Sequence, residues 1–240
     1  MTSVHYRCSG FIAETKIIFA RNSTESSRLP YDLSMGSKAQ KTAKEEKPAI
    51  FTIGHSTRAF EEFVELLQAH GILRLIDIRT IPRSRRNPQY SIETLGPSLK
   101  AAGIDYVHLK DLGGLRRPKA GSKNIGWRNA SFRGYADYMG TPEFENAVSR
   151  AIKHSQDKPT VLMCAEAVPW RCHRSLVADA LTARDIPVNH IMSASVANQH
   201  ELTPFAQVRD EKVSYPSDKP ARRKSVAGGT KKQLKLKLNS

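Results

Sequence analysis

A chain of 240 residues with a formal charge of +15 has room for one medium domain with tails. The excess is uneven: residues 1–48 carry eight basic and five acidic side chains, 49–208 twenty and fifteen, and 209–240 ten and three, so the charge alone says little about the middle of the chain. Three cysteines give no disulfide framework, and no run of about eighteen apolar residues occurs, which argues against a disulfide-stapled secreted domain, a transmembrane helix or a secretory signal.

The first 48 residues are rich in Ser, Thr, Lys and Arg without sustained periodicity, and Met35 opens an ordinary polar leader. Residues 1–48 are therefore expected to be a disordered extension or a mis-assigned one, the true start then being Met35. A transit peptide fits poorly because Glu14, Glu25 and Asp32 are acidic. Short apolar runs at Ala49–Ile53, Leu73–Ile78, Ile104–Leu109, Thr160–Cys164 and Val188–Met192 read as five buried strands.

Helical spacing lies between them. Phe60, Phe63, Val64 and Leu67 follow the cap candidates Ser56 and Thr57, and Ile92, Leu95 and Leu99 follow Ser91. Phe144, Val148 and Ile152 follow Thr141-Pro142, and Leu176, Val177, Ala180 and Leu181 follow Cys172. Gly113–Gly140 reads as a long loop with a short helix around Phe132–Met139. The alternation predicts one α/β domain over residues 49–208, three-layered, with a mostly parallel sheet of about five strands and helices on both faces. Residues 209–240 read as a disordered basic tail that binds polyanions without specificity.

Ligands of an open parallel sheet bind beyond the carboxyl ends of its strands. The segments there are GHST, RTIPRSRRNP, KDLGGLRRPK and AEAVPWRCHR. Ten of the fourteen arginines between residues 49 and 208 lie in these segments or in the long insertion, among them Arg79, Arg83, Arg85, Arg116, Arg133, Arg171 and Arg174. That concentration predicts an anionic ligand, because the guanidinium fork suits phosphate or carboxylate. Gly113 and Gly114 would let the backbone approach it. The alternative is a solvated arginine surface with a few internal ion pairs.

The densest chemistry is Cys164–Arg174, CAEAVPWRCHR. Cys164 ends a strand and Cys172 precedes a helix, where the dipole and the cations Arg171, His173 and Arg174 lower a thiol's pKa. Six residues separate Cys164 from Arg171, one more than in a Cys-x5-Arg phosphatase loop, so that cradle is not implied. The catalytic candidates are Cys164, Glu166, His173 and His55. Against each stands a plainer role: a packed cysteine, an ion-paired glutamate, a histidine capping a helix. A metal site of Cys164, Cys172 and His173, with His55 or His108, is the further alternative, although the Cys-x7-Cys-His spacing fits no standard zinc pattern. Asp77 is expected to fix a loop or a histidine. Trp127, Phe132, Tyr135, Tyr138 and Trp170 are either core or a stacking surface for a base.

These stretches resemble the family catalogued as domain of unknown function 488. The resemblance rests on Gly54-His55-Ser56, Asp77-Ile78-Arg79 with Pro82 and Ser84, Leu112-Gly113-Gly114, Phe132-Arg133-Gly134-Tyr135-Ala136 with Met139, and Cys164-Ala165-Glu166 through Pro169 to Cys172-His173-Arg174. It spans about Ile50 to Met192, implies a compact α/β domain and implies no activity. The absence of a Walker loop, a GxGxxG fingerprint and a GxSxG elbow removes the commonest α/β chemistries. The expectation is an enzyme acting on a phosphate-bearing substrate, a nucleotide or nucleic acid, in a reducing cytosol and with no cofactor required by the sequence. The alternative is a binding module that holds such a ligand without turnover.

Overall fold

The computed structural model describes residues 47–217. The expectations for residues 1–46, Met35 included, and for 218–240 lie outside the described residues. Five parallel strands form the sheet: β1 (Ile50–Gly54), β2 (Arg74–Asp77), β3 (Asp105–His108), β4 (Thr160–Cys164) and β5 (Val188–Ile191). A sixth, β6 (Ala197–Gln199), adds antiparallel to β5, giving the order β3-β2-β4-β1-β5-β6. The class is the expected one, with one more strand, too short and too polar to stand out in the sequence.

Five helices cover both faces. Helices α1 (Phe60–Ala69) and α2 (Ile92–Ala101) pack Phe63, Leu67, Leu95 and Leu99 on Leu75, Val161 and Met163. Helices α3 (Ala130–Met139), α4 (Pro142–His154) and α5 (Arg174–Thr182) pack Tyr135, Phe144, Val148 and Leu176 on Ile76, Leu162 and Cys164. Alternate residues of β4 thus serve opposite cores, as the two-residue strand period requires. Right-handed crossovers sort the helices: the steps from β1 to β2 and β2 to β3 run one way across the sheet, those from β3 to β4 and β4 to β5 the other. The chain leaving β4 therefore turns to one face while the chains leaving β1 and β2, its neighbours on either side, turn to the other. A crevice at the carboxyl edge follows.

Local signals set the helix starts. Asn129 caps α3, its side-chain oxygen accepting from the amides of Ser131 and Phe132, and Thr141 caps α4 ahead of Pro142. Ser56 and Thr57 do not cap α1: the helix begins after Ala59, and Ser56 takes a positive φ of 53° in the preceding turn. Among the described residues no helix is long and apolar enough to cross a membrane.

The expected boundary at Val208 needs correction. Strands β7 (Gln207–Arg209) and β8 (Lys212–Ser214) form a hairpin, and Tyr215 beyond it is fully buried. Its hydroxyl donates to Asp179 at 2.7 Å. The buried Asp179 carboxylate also accepts from Thr203 and from Nε2 of His200. With that proton assigned, Nδ1 of His200 accepts from Nε2 of His190 at 3.0 Å, and Nδ1 of His190 accepts from the Thr52 hydroxyl at 2.6 Å. This relay ties β1, β5, α5 and the segment after β6 into one unit, so residues 209–217 belong to the domain and not to a tail.

Candidate functional site

The crevice holds a cavity of about 410 Å³ between the segments that follow β2, β3 and β4. Cys164, Cys172 and His173 line its floor; Ile81, Leu115, Phe132 and Tyr135 form much of its wall; Arg79, Glu166 and Arg171 add polar groups. A neighbouring hollow of about 350 Å³ shares Arg79, Ile81 and Glu166 and adds His55 and Arg83. Cys164, Glu166, His173, His55 and Arg79, from three separate loops, therefore gather in one region, with Arg174 directly behind it.

The loop from Cys164 to His173 is clamped from several sides. The amides of His55 and Ser56 donate to the carbonyls of Cys164 and Ala165, extending the β1–β4 pairing past the strand ends. Arg174, 1% exposed, turns back to donate to the carbonyls of Glu166 at 2.6 Å and Ala167 at 2.8 Å. Gly54 makes this possible: a Cβ there would stand 1.7 Å from the Glu166 carbonyl oxygen and 2.6 Å from the Arg174 guanidinium. A short turn, Pro169–Arg171, returns the chain to α5, and the amide of Arg174 donates to the Cys172 sulfur at 3.5 Å.

Three reactive atoms meet at the floor. Nδ1 of His173 lies 3.9 Å from Cys164 Sγ and 3.7 Å from Cys172 Sγ, and all three lie within 4.8 Å of one another. Nε2 of His173 donates to the carbonyl of Ile78 at 3.2 Å, which leaves Nδ1 as the basic atom facing the sulfurs. The two thiols are inequivalent. Cys164 is held well below the ordinary thiol range, first by the hydrogen bond from Cys172 and then by His173, against the opposing effect of burial. Cys172 is pushed up by donating that bond and by burial. The direction of both shifts favours charge on Cys164 over Cys172.

Two of the seven predicted arginines, Arg79 and Arg174, are buried and turned inward. Arg79 pairs with the buried Asp77 through Nε and one terminal nitrogen, at 2.9 and 2.6 Å, and also donates to the carbonyl of Tyr90 and to Nε2 of His55. Tyr106 donates to the same carboxylate, and His108 to the carbonyl of Arg79. Arg116 lies 3.7 Å over the Tyr138 ring and donates to backbone carbonyls. Arg83 forms an exposed pair with Glu93, Arg85 is exposed outside both cavities, and Arg133 is half-buried on α3 without lining either. Of the arginines expected to hold an anion, Arg171 is the exposed one that lines the larger cavity.

His55 has both nitrogens engaged: Nδ1 donates to the carbonyl of Ser56 at 2.8 Å, Nε2 accepts from Arg79, and the ring stacks on Tyr90. Burial, with Arg79 second, lowers its pKa to about 4, so near neutrality the ring is neutral, its one proton held by the Ser56 carbonyl and its lone pair by Arg79. Glu166 is exposed; its carbonyl, not its carboxylate, meets Arg174. Gly113 and Gly114 serve close packing: a Cβ at Gly113 would stand 2.3 Å from the Thr80 hydroxyl, and one at Gly114 would stand 2.9 Å from Nδ1 of His173.

Ile81 and Leu115, 60% and 77% exposed at the cavity wall, are functional candidates that the sequence reading missed. Their signal was present: each is an isolated large apolar residue inside an otherwise polar, arginine-rich loop.

No curated protein and no solved structure matches the chain. Residues 59–181 match the family described as "Domain of unknown function DUF488", a span holding α1 to α4, all but the last residue of α5 and the whole Cys164–Arg174 loop. The chain belongs to that DUF488 family.

Proposed function

We propose that the protein is a thiol-dependent enzyme in which Cys164 is the nucleophile. The observation that carries this reading is the placement of Cys164 Sγ on a cavity floor beside both a second sulfur and the bare Nδ1 of His173. A cysteine that only packs needs neither. In the reaction the Cys164 thiolate attacks an electrophilic atom of a substrate seated against Ile81, Leu115 and Phe132, its proton having passed to Nδ1 of His173. The leaving group takes that proton as its bond breaks. Glu166 and Arg171 bind the charged part of the substrate.

Arg171 supports an anionic group on that substrate, such as the phosphate of a nucleotide or nucleic acid. The inward commitment of Arg79 and Arg174 weighs against a non-catalytic anion-binding module, which would need those cations facing outward. Working thiols suit a reducing compartment such as the cytoplasm. Exposed basic residues outside the cavity add non-specific affinity for polyanions.

The second reading is a metal centre, favoured by the approach of the three donor atoms within 4.8 Å. Against it stands the buried Arg174, which already supplies positive charge behind the sulfurs. Residue-resolved alkylation with iodoacetamide, with zinc measured on the same sample, separates the two. Preferential labelling of Cys164 in zinc-free protein, slowed by added inorganic phosphate, is the expected result. Near-stoichiometric zinc, with both thiols protected until a strong chelator is added, would replace the nucleophile by a metal centre.

A further inference from the structure

We infer that Cys172 is a resolving thiol and that the electrophile taken by Cys164 is a sulfur atom, so that the site carries out dithiol–disulfide exchange. This rests on the reading of Cys164 as nucleophile and assigns a substrate class to it. A nucleophile for acyl or phosphoryl transfer needs a base and donors for a developing oxyanion. Here Cys164 has a base, Nδ1 of His173 at 3.9 Å, but beside it stands a second thiol where donors for an oxyanion would be needed, the two sulfurs lying within 4.8 Å on the floor of one cavity. Cys172 sits in extended backbone, φ −134° and ψ 146°, between the short turn and α5. Closing a disulfide from that separation requires the Cys172 side chain to turn toward Cys164 and give up the bond its sulfur accepts from the Arg174 amide.

The chemistry balances in two steps. The Cys164 thiolate attacks one sulfur of a disulfide R–S–S–R′; the Cys164–S–R bond forms, the S–S bond breaks, and R′–S⁻ leaves and takes a proton. Nδ1 of His173, 3.7 Å from Cys172 Sγ, then accepts the Cys172 proton. The resulting thiolate attacks Cys164 Sγ, and R–SH leaves with that proton. Two thiols have been oxidised to one disulfide and one substrate disulfide reduced to two thiols. An external dithiol reductant resets the pair. The apolar wall of Ile81, Leu115, Phe132 and Tyr135 suits the carbon arms of such a substrate, whereas a phosphoryl group would require converging donors in their place.

The test treats the reduced full-length chain with bis(2-hydroxyethyl) disulfide and follows intact mass with peptide mapping, Cys8 being mapped separately. Wild type is expected to pass through a transient adduct on Cys164 to a Cys164–Cys172 disulfide. In Cys172→Ser, and in Cys172→Ala as a second variant should the first fold poorly, the adduct should persist at least about tenfold longer, because an intramolecular thiol is lost. If iodoacetamide alkylates Cys164 but the wild-type adduct is as long-lived as the variants', the resolving role falls and the nucleophile stands. If Cys164 resists both reagents in native protein, both readings fall.

Discussion

Nδ1 of His173 lies 3.9 Å from Cys164 Sγ, while Nε2 of the same ring donates to the Ile78 carbonyl. The backbone of β2's exit thus fixes which nitrogen faces the sulfur, and no other residue need set the tautomer. His173→Gln keeps a polar group there but removes the base. It should slow iodoacetamide reaction of Cys164 at neutral pH by about tenfold, the equivalent of one pKa unit, with the melting temperature little changed. An unaltered rate would detach His173 from the thiol chemistry.

Arg79 should behave as a structural residue. Removing it strands the Asp77 carboxylate, fully buried, with only Tyr106 and a backbone amide left to it. Arg79→Ala is expected to lose about 3–5 kcal/mol of stability. Arg79→Lys should recover only part, since one ammonium cannot reproduce the fork to Asp77 while also reaching the Tyr90 carbonyl. Urea unfolding measures both. A stable Arg79→Ala variant with weakened anion binding would restore Arg79 to the ligand site.

The boundary can be tested by truncation. Chains ending at residue 217 should keep a single cooperative transition. Chains ending at 208 lose Val213 and Tyr215 from the core and should melt far lower or fail to fold. Tyr215→Phe isolates the hydroxyl bonded to Asp179 and should cost about 1–3 kcal/mol, a charged hydrogen bond inside the protein. Equal stability of the 208 and 217 truncations would return the segment to the tail.

Stability should fall on acidification through the histidines. His55 and His190 are each lowered from 6.5 to about 4, chiefly by burial, with Arg79 second for His55 and His200 second for His190. Below pH 6.5 the unfolded chain binds protons that the folded chain refuses. Stability is therefore lost progressively from about pH 6.5 to about pH 4, by up to roughly 3 kcal/mol per histidine. Melting temperatures across that window check this, and His190→Gln should flatten the slope. A flat profile in the native sequence would show that neither histidine is held neutral.

The sheet was legible because its five parallel strands are short apolar runs between helical repeats, and β4 reads as unbroken hydrophobic sequence. The gathering of Cys164, His173 and Arg79 followed from their place after strands. What could not be read was direction. An arginine facing a ligand and one facing a carboxylate have the same letter, although Asp77 and Arg79, two apart on one side of the strand's path, were a hint of pairing. Tyr215 was hidden because a lone aromatic among lysines carries no period. Asp179 did carry a signal: an acid within the apolar stretch Leu176–Leu181 has to find buried partners, and it finds His200, Thr203 and Tyr215.

The most direct test of the account is the pH dependence of iodoacetamide alkylation, resolved for Cys164 and Cys172 by peptide mass spectrometry on native, metal-free protein. The account predicts a Cys164 rate that stays high well below the ordinary thiol value of about 8.5, with Cys172 unreactive until Cys164 is blocked. A Cys164 that reacts only as the pH rises through about 8.5, or only once the protein is unfolded, would contradict it and leave both cysteines as packing.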